Sequence, residues 1–144
     1  MPTAVSPELF EQFREGIECW NRDELEQMAD GYAEDAVLDV SAVFSDTAPM
    51  RGRAELLRYW SELRETWAGL RQDPIEAWDL GNDRYVVGIR MSGKGSLSGA
   101  EVDQRFAMLY VFDEDGKVAS ASLFSDVPAA TSAAESSANQ ASGI

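Results

Sequence analysis

The amino-acid sequence predicts an α+β domain in which a cone-shaped, curved antiparallel sheet wraps around three N-terminal helices and encloses an apolar pocket. Two observations predict this fold. The first half of the chain has three segments with apolar residues at helical spacing, whereas residues 75–124 alternate between apolar and polar positions and are punctuated by turn signals. No helix-length segment separates the later runs, which favours antiparallel hairpins. The apolar helix stripes must then be buried against one face of the sheet.

Three helices are expected before the sheet. The first begins at Ser6, an N-cap residue, with Pro7 at the first helical position, where its missing N–H costs nothing. The second starts after Asn21, and the third is opened by Gly52 and stops near Gly69. The apolar faces of the three helices are, in order, Phe10, Phe13, Ile17 and Trp20; Leu25, Met28, Ala29 and Tyr32; and Leu56, Trp60, Leu63 and Trp67.

The strands follow as short alternating runs. A strand at residues 36–40 precedes the third helix, and the later strands are predicted at residues 75–80, 85–91, 101–112 and 118–124. Residues 81–83 and 113–116 carry tight-turn signals between them. In the longest strand the alternation places Phe106, Met108, Tyr110 and Phe112 toward the helices, and Ala107, Leu109 and Val111 outward.

The chain is predicted to form one domain over residues 1–127, followed by an Ala/Ser-rich tail at residues 128–144. We expect the tail to be mobile, because it has little apolar area to offset the entropy of ordering it. The alternative is a C-terminal helix that docks on the domain.

Charge excludes several classes of partner. The chain carries 26 acidic and 12 basic residues, a net charge of -14, so its far field repels nucleic acid and anionic membranes. No stretch has the length of a membrane span. The single Cys19 and the lack of a basic, apolar N-terminal leader are expected of a cytoplasmic protein.

Histidine is absent from the chain, which removes the commonest general base and most zinc chemistry. Any proton transfer must therefore use Asp, Glu, Tyr, Lys or an ordered water. We expect neither a metal site nor an organic cofactor.

Four segments together resemble the SnoaL-like branch of the nuclear transport factor 2 superfamily, which also contains ketosteroid isomerases and limonene epoxide hydrolases. They are residues 32–37 (YAEDAV), residues 51–53 (RGR) before a Trp-bearing helix, Ser98-Gly99 before the longest strand, and residues 112–118 (FDEDGKV). The resemblance covers Leu9 to Val127. The resemblance implies the conical fold and a pocket. It does not imply a particular activity, because the superfamily includes both enzymes and proteins that catalyse no reaction.

The residues that perform catalysis in those relatives are largely replaced here. In the ketosteroid isomerases the general base is an Asp on the first strand; that place is Val40, and the carboxylate of Asp39 lies one residue earlier. An offset of one residue turns a strand side chain to the opposite face, although a bulge can turn it back. The isomerase's neutral acid and helix-one Tyr correspond to Met108 and Glu15. The Arg-x-Asp pair and the final Asp of the epoxide hydrolases also have no charged counterpart at the corresponding positions of this sequence.

The resemblance implies a set of pocket residues. Its walls are expected to be Trp20, Val40, Trp60, Phe106, Met108 and Phe124, together with Tyr32 and Tyr110. Asp39 is the candidate base, and Tyr32 or Tyr110 the candidate hydrogen-bond donor. Two alternatives stay open: these side chains fill the core without a cavity, or Asp39 is a solvated strand residue.

The outward face of the longest strand predicts a homodimer. An apolar patch on that face is too large to leave in water, and related proteins often dimerise through it. The residues of this expected contact are Arg105, Ala107, Leu109 and Val111. Arg90 either binds an anionic group or pairs with Asp103, and the pair is favoured.

Two functions remain at this point. The first is a cofactor-free cyclase, isomerase or hydrolase that acts on a small apolar molecule, such as a polyketide- or terpenoid-like substrate. The second is a non-catalytic module that binds a small ligand or a partner. A carboxylate that points into the pocket would favour chemistry, whereas purely apolar walls would favour binding.

Overall fold

The computed structural model describes residues 2–67, 69–94 and 99–142 and shows three helices packed inside a curved, unclosed sheet and a fourth on its outer face. The helices are α1 (Pro7–Asn21), α2 (Leu25–Asp30), α3 (Arg53–Thr66) and α4 (Val127–Ser142). The strands are β1 (Thr3–Ala4), β2 (Tyr32–Asp39), β3 (Met50–Arg51), β4 (Leu70–Gly81), β5 (Arg84–Lys94), β6 (Glu101–Phe112) and β7 (Val118–Phe124). The α+β fold class is confirmed.

The strand order is β1-β4-β5-β6-β7-β2-β3. Its neighbours pair antiparallel as predicted, except that β2 lies parallel to β7. This pairing is possible because the rest of the sheet and α3 separate β2 from β7 in the chain and provide the long crossover that parallel neighbours need. The sequence predicts a break between the strand that ends at residue 91 and the strand that begins at residue 101. Part of this break, residues 95–98 with Ser98, lies outside the described residues.

Local signals place the helix and turn boundaries. The Ser6 hydroxyl accepts a hydrogen bond from the Leu9 N–H at 3.2 Å, and Pro7 takes the first helical position, so this predicted cap is confirmed. Between β4 and β5, Asn82 and Asp83 have φ values of 57° and 59°. A left-handed pair of this kind gives the tight turn that matches the twist of a hairpin.

The register of β6 divides the sheet into an inner and an outer face as predicted. Met108 and Tyr110 pack with the helices, whereas Ala107 and Leu109 pack on the opposite side. Phe124 pairs with Ala107 across β6 and β7, so its side chain shares the outer face. The placement of Phe124 in the pocket wall is therefore corrected.

The C-terminal segment differs from the mobile tail expected from composition. Residues 127–142 form α4, which covers the outer face with Ala130 and Ala134, both almost fully buried. Asp126 caps the helix, since its Oδ1 accepts a hydrogen bond from the Ala129 N–H at 2.8 Å, and the Arg84 Nη1 donates to the Ala134 carbonyl at 2.9 Å. Alanine has the highest helix propensity, and alanines four residues apart form a flat stripe that can approach a sheet closely. Residues 143 and 144 lie outside the described residues.

This helix bears on the predicted homodimer. Ala107 is fully buried within the single chain, in a cluster with Ala130 and Val86, while Leu109 and Val111 are half-buried. Part of the apolar area assigned to a second copy is thus already covered by α4. The homodimer stays a prediction, and it now depends on the position of α4.

Candidate functional site

A cavity of about 560 Å³ lies between the inner face of the sheet and helices α1 to α3. This volume is in the range of small-molecule sites, and most of the surface that lines the cavity is apolar. Along β6 the lining runs from Gln104 to Phe112, eight residue steps, or about 26 Å of strand.

Four exposed residues that border the cavity lie toward the same end of the sheet, near the start of β6 and the ends of β2 and β7, and we call them the rim: Val43, Phe44, Gln104 and Ser125. Val43 and Phe44 are large apolar side chains, yet they are 41% and 45% exposed. Large apolar groups exposed beside the cavity would let an apolar molecule approach it without crossing a fully polar surface.

Seven of the eight expected wall residues border this cavity: Trp20, Tyr32, Val40, Trp60, Phe106, Met108 and Tyr110. The walls come from α1, α3, β2, the turn after it and β6, so residues far apart in the chain meet here. The exception is Phe124. Its neighbour Leu123 pairs with Met108 and lines the cavity instead.

Tyr32 and Tyr110 both border the cavity, buried and close enough for each to affect the pKa of the other. Burial raises the pKa of Tyr110 to about 12, while the neighbouring Tyr32 acts in the opposite direction. The pKa of Tyr32 is raised well above its ordinary value, first by burial and then by Tyr110. Because burial keeps both hydroxyl groups protonated at neutral pH, either one can donate a hydrogen bond to a molecule in the cavity.

Neighbouring groups hold this tyrosine pair in place. The guanidinium of Arg53 donates two hydrogen bonds to the Tyr32 carbonyl, at 2.9 and 2.6 Å. The Trp60 ring meets the Tyr32 ring edge-on with 5.1 Å between centroids, and Phe13 stacks on Tyr110 at 5.9 Å. Packing of this kind restricts rotation of both rings, so the hydroxyl groups keep their relative positions.

Asp39 does not border the cavity. Its Oδ1 accepts hydrogen bonds from the Ser41 N–H at 2.9 Å and from the Ser41 hydroxyl at 2.6 Å. Leu38 and Val40 line the cavity on either side of it, so the alternation of β2 directs Asp39 to the other face. The geometry thus agrees with the alternative that Asp39 is a solvated strand residue and not with Asp39 as a base in the cavity.

No aspartate or glutamate lines the cavity within the parts of the chain that the structure describes. Those parts also contain no group of three or more His, Cys, Asp and Glu residues placed to hold a metal ion. None of their helices combines the length and apolar character needed to cross a membrane.

Several cavity residues were missed from the sequence. Gly16 lies on the α1 stripe that borders the cavity, and a Cβ built there would meet no atom within 4 Å. Gly16 belongs to a series at helical spacing, Leu9, Phe13, Gly16 and Trp20. It was missed because glycine has no apolar side chain that would mark it as part of the stripe. Tyr59 borders the cavity beside Trp60, and burial raises the pKa of its hydroxyl.

On the outer face the expected ion pair forms between neighbouring strands. Arg90 on β5 binds Asp103 on β6 through two hydrogen bonds, Nε to Oδ1 and Nη2 to Oδ2, both 2.9 Å long. Because this contact is bidentate, it engages both oxygens of the carboxylate. The preference for pairing over anion binding by Arg90 is confirmed.

Comparison with known proteins agrees with this architecture. Residues 13–121 match the family model described as the SnoaL-like domain. No curated protein shows significant similarity to the chain.

Solved structures with little sequence identity share the fold. An NTF2-like protein of unknown function from Burkholderia pseudomallei is 18% identical with a TM-score of 0.69, over 85% of this chain and 92% of that one. TerC, co-crystallised with polyporic acid, is 19% identical with a TM-score of 0.70, over 86% of this chain and 95% of that one. SalBIII, an epoxide hydrolase/cyclase-like enzyme of pyran ring formation in salinomycin, is 19% identical with a TM-score of 0.63, over 79% of this chain and 91% of that one.

Proposed function

Because the chain belongs to the SnoaL-like family, we propose that it binds a small, largely apolar molecule in the cavity. The observation that carries this proposal is the absence of carboxylates from the described lining, although the chain has 26 acidic residues. A buried charge without a partner is costly, so apolar walls suit an apolar ligand.

The tyrosine pair supplies the polar contact of the proposed site. Burial keeps the Tyr110 hydroxyl protonated, so it can donate a hydrogen bond to a carbonyl, ether or hydroxyl oxygen of the ligand. A hydrogen bond made in an apolar cavity is stronger than one made in water, and it fixes which end of the ligand lies deepest.

The second candidate is a cofactor-free cyclase or isomerase, favoured by the same tyrosine pair and by the likeness to SalBIII. Here Tyr110 would stabilise negative charge that develops on a ligand oxygen. Binding is the better supported of the two, because Asp39 is hydrogen-bonded to Ser41 outside the cavity. If Asp39 is nevertheless the base, Asp39→Asn abolishes turnover and leaves ligand binding intact.

A titration with N-phenylnaphthylamine, a neutral apolar dye that fluoresces in apolar surroundings, tests binding. We expect the native protein to bind the dye and Gly16→Phe to weaken binding about tenfold or more, since the ring occupies space that is open at Gly16. Gly16→Ala is the matched control: it adds one methyl group, keeps dye binding and stabilises α1 by about 1 kcal/mol. Equal affinity for the native protein and Gly16→Phe would place the dye outside the cavity and contradict the proposal.

The raised pKa of Tyr110 predicts how stability depends on pH. The phenol ionises near pH 10 in the unfolded chain but at about 12 in the folded one, so stability is intact below pH 10 and falls as pH rises toward 12. Between pH 10 and 11 we expect the native protein to lose about 1 kcal/mol more than Tyr110→Phe, measured by urea unfolding. Parallel losses in the two proteins would mean that the Tyr110 hydroxyl is not enclosed.

A further inference from the structure

The described lining of the cavity presents no charged group to a ligand. Arg105 borders the cavity as part of β6, but it lies opposite Arg90 and alternates with the inward Phe106. Its guanidinium is therefore on the outer face of the sheet, beside the carboxylate of Asp103. A charged ligand would find no opposite charge inside the cavity, which favours an uncharged ligand.

Two glutamines lie on the inner face at the end of the sheet where β6 begins, and we call Gln72 and Gln104 the glutamine pair. Gln72 on β4 lies opposite Met91 on β5, and Met91 lies opposite Gln104 on β6. Directly opposite residues share a face of the sheet, and all three border the cavity. Neighbouring strands are about 4.8 Å apart, so the Cα atoms of the glutamine pair are separated by about 10 Å.

The backbone of Gln72 is held by the last residue of α1. The Asn21 Nδ2 donates to the Gln72 carbonyl at 2.8 Å, and the Asn21 Oδ1 accepts from the Gln72 N–H at 2.8 Å. Asn21 thus replaces a strand neighbour on this edge of β4, because β1 pairs with β4 at the other end, at Trp78 and Asp79. The two hydrogen bonds fix the point from which the Gln72 side chain enters the cavity.

The amides of the glutamine pair are available to a ligand. Neither side-chain amide makes a hydrogen bond within the part of the chain that the structure describes. Every buried polar side-chain atom of that part has a partner, so the amide of the half-buried Gln72 is open to solvent. A ligand that fills the cavity displaces this solvent, and an amide left without a partner would weaken binding. The ligand must therefore supply the partner itself.

We propose that the glutamine pair binds an uncharged oxygen of the ligand, a carbonyl or a hydroxyl group, at the end of the cavity where β6 begins. This inference rests on the proposed function and adds the position and chemistry of one polar group of the ligand. A carbonyl oxygen accepts from both amides through its two lone pairs, and a hydroxyl group donates to either amide oxygen. The apolar part of the ligand packs on Met91 and Phe106.

This contact is separate from the one proposed for Tyr110. Gln104 and Tyr110 are six residues apart on β6, or about 20 Å of strand. Apolar side chains, including Phe106 and Met108, lie between them on the inner face. One oxygen atom can therefore contact the glutamine pair or Tyr110 but not both, and variants at the two places give different results.

Two uncharged dyes that differ by one carbonyl group test the proposal. Prodan carries a propionyl group on a dimethylaminonaphthalene ring, whereas 2-dimethylaminonaphthalene lacks it. We expect the double variant Gln72→Met, Gln104→Met to weaken prodan binding about tenfold and to leave binding of the second dye unchanged. Methionine has a similar length and volume but no N–H donor. Prodan emits at longer wavelength when its carbonyl accepts a hydrogen bond, so the bound dye should emit at shorter wavelength in the variant.

Gln27→Met is the matched control, since Gln27 is exposed on α2 and does not border the cavity. It should bind both dyes as the native protein does. Normal prodan affinity and emission in the double variant, or equal weakening of both dyes, would overturn the proposal and leave the proposed function standing. Loss of prodan binding in Tyr110→Phe but not in the double variant would overturn it as well and assign the carbonyl to Tyr110. Failure of the native protein to bind either dye would overturn both.

A single substitution at the exposed Gln104 gives a second test that leaves the core untouched. Glutamate has the same shape as glutamine, but its carboxylate has no N–H donor at neutral pH. We expect Gln104→Glu to weaken prodan binding several-fold. Gln12→Glu adds the same charge at an exposed position of α1 that also borders the cavity, and it should not change prodan binding. Equal weakening in these two variants would attribute the effect to charge and overturn the proposal.

Discussion

Replacing Leu56 by alanine is expected to lower the free energy of unfolding by about 3 kcal/mol, because it leaves a cavity in the part of the core that supports the site. Leu56 is fully buried on α3 and belongs to the same cluster as Trp20, Leu38 and Trp60. These three neighbours also form walls of the cavity. Urea unfolding measures the loss, and dye titration shows whether the walls keep their positions.

Leu57→Ala is the control for this prediction. Leu57 is the next residue of the same helix and is only half-buried, so its truncation removes the same atoms from a more exposed place. We expect a loss of about 1 kcal/mol. Similar losses for the two variants would contradict the packing described for α3.

Introducing glutamate at Ala130 is expected to separate α4 from the sheet. Ala130 is fully buried against Val86 and Ala107, and none of the residues in this cluster carries a charge. A carboxylate there would be desolvated without a partner, a penalty of several kcal/mol that the chain avoids by releasing the helix. Hydrogen exchange of the α4 amides should therefore accelerate strongly in Ala130→Glu.

The same variant tests the predicted homodimer. Release of α4 uncovers the outer face around Ala107, Leu109 and Phe124, and an exposed apolar face of this kind favours association with a second copy. We expect light scattering to show a higher dimer fraction for Ala130→Glu than for the native protein. Ser132→Glu, which adds the same charge on the exposed side of α4, should change neither the exchange nor the dimer fraction. A dimer fraction that does not respond to release of α4 would place any dimer contact elsewhere.

Much of the fold was predictable because its signals are local. Ser6 with Pro7 marks the start of α1, and the alternation of residues 101–112 and 118–124 gives the bounds of β6 and β7 correctly. Seven of the eight expected wall residues border the cavity, since helix stripes and the inward positions of β6 must face each other in any packing of helices on a sheet.

The wrong predictions concern segments whose position depends on contacts with residues far away in the sequence. Phe124 is apolar in a half-buried strand, and nothing near it in sequence says which face it takes; its pairing with Ala107 does. The alanines of α4 looked like a low-complexity tail, because a flat alanine stripe gains from burial only when a matching sheet surface is present.

The sequence by itself determined the three N-terminal helices, the five longer strands, the inward face of β6 and the lack of histidine chemistry, because composition and periodicity depend only on neighbouring residues. Only the tertiary structure decided that Asp39 binds Ser41 outside the cavity, that Tyr32 and Tyr110 are buried together in its lining, and that Asp103 pairs with Arg90. These contacts depend on which strands are neighbours and in what register, and the whole sheet sets both.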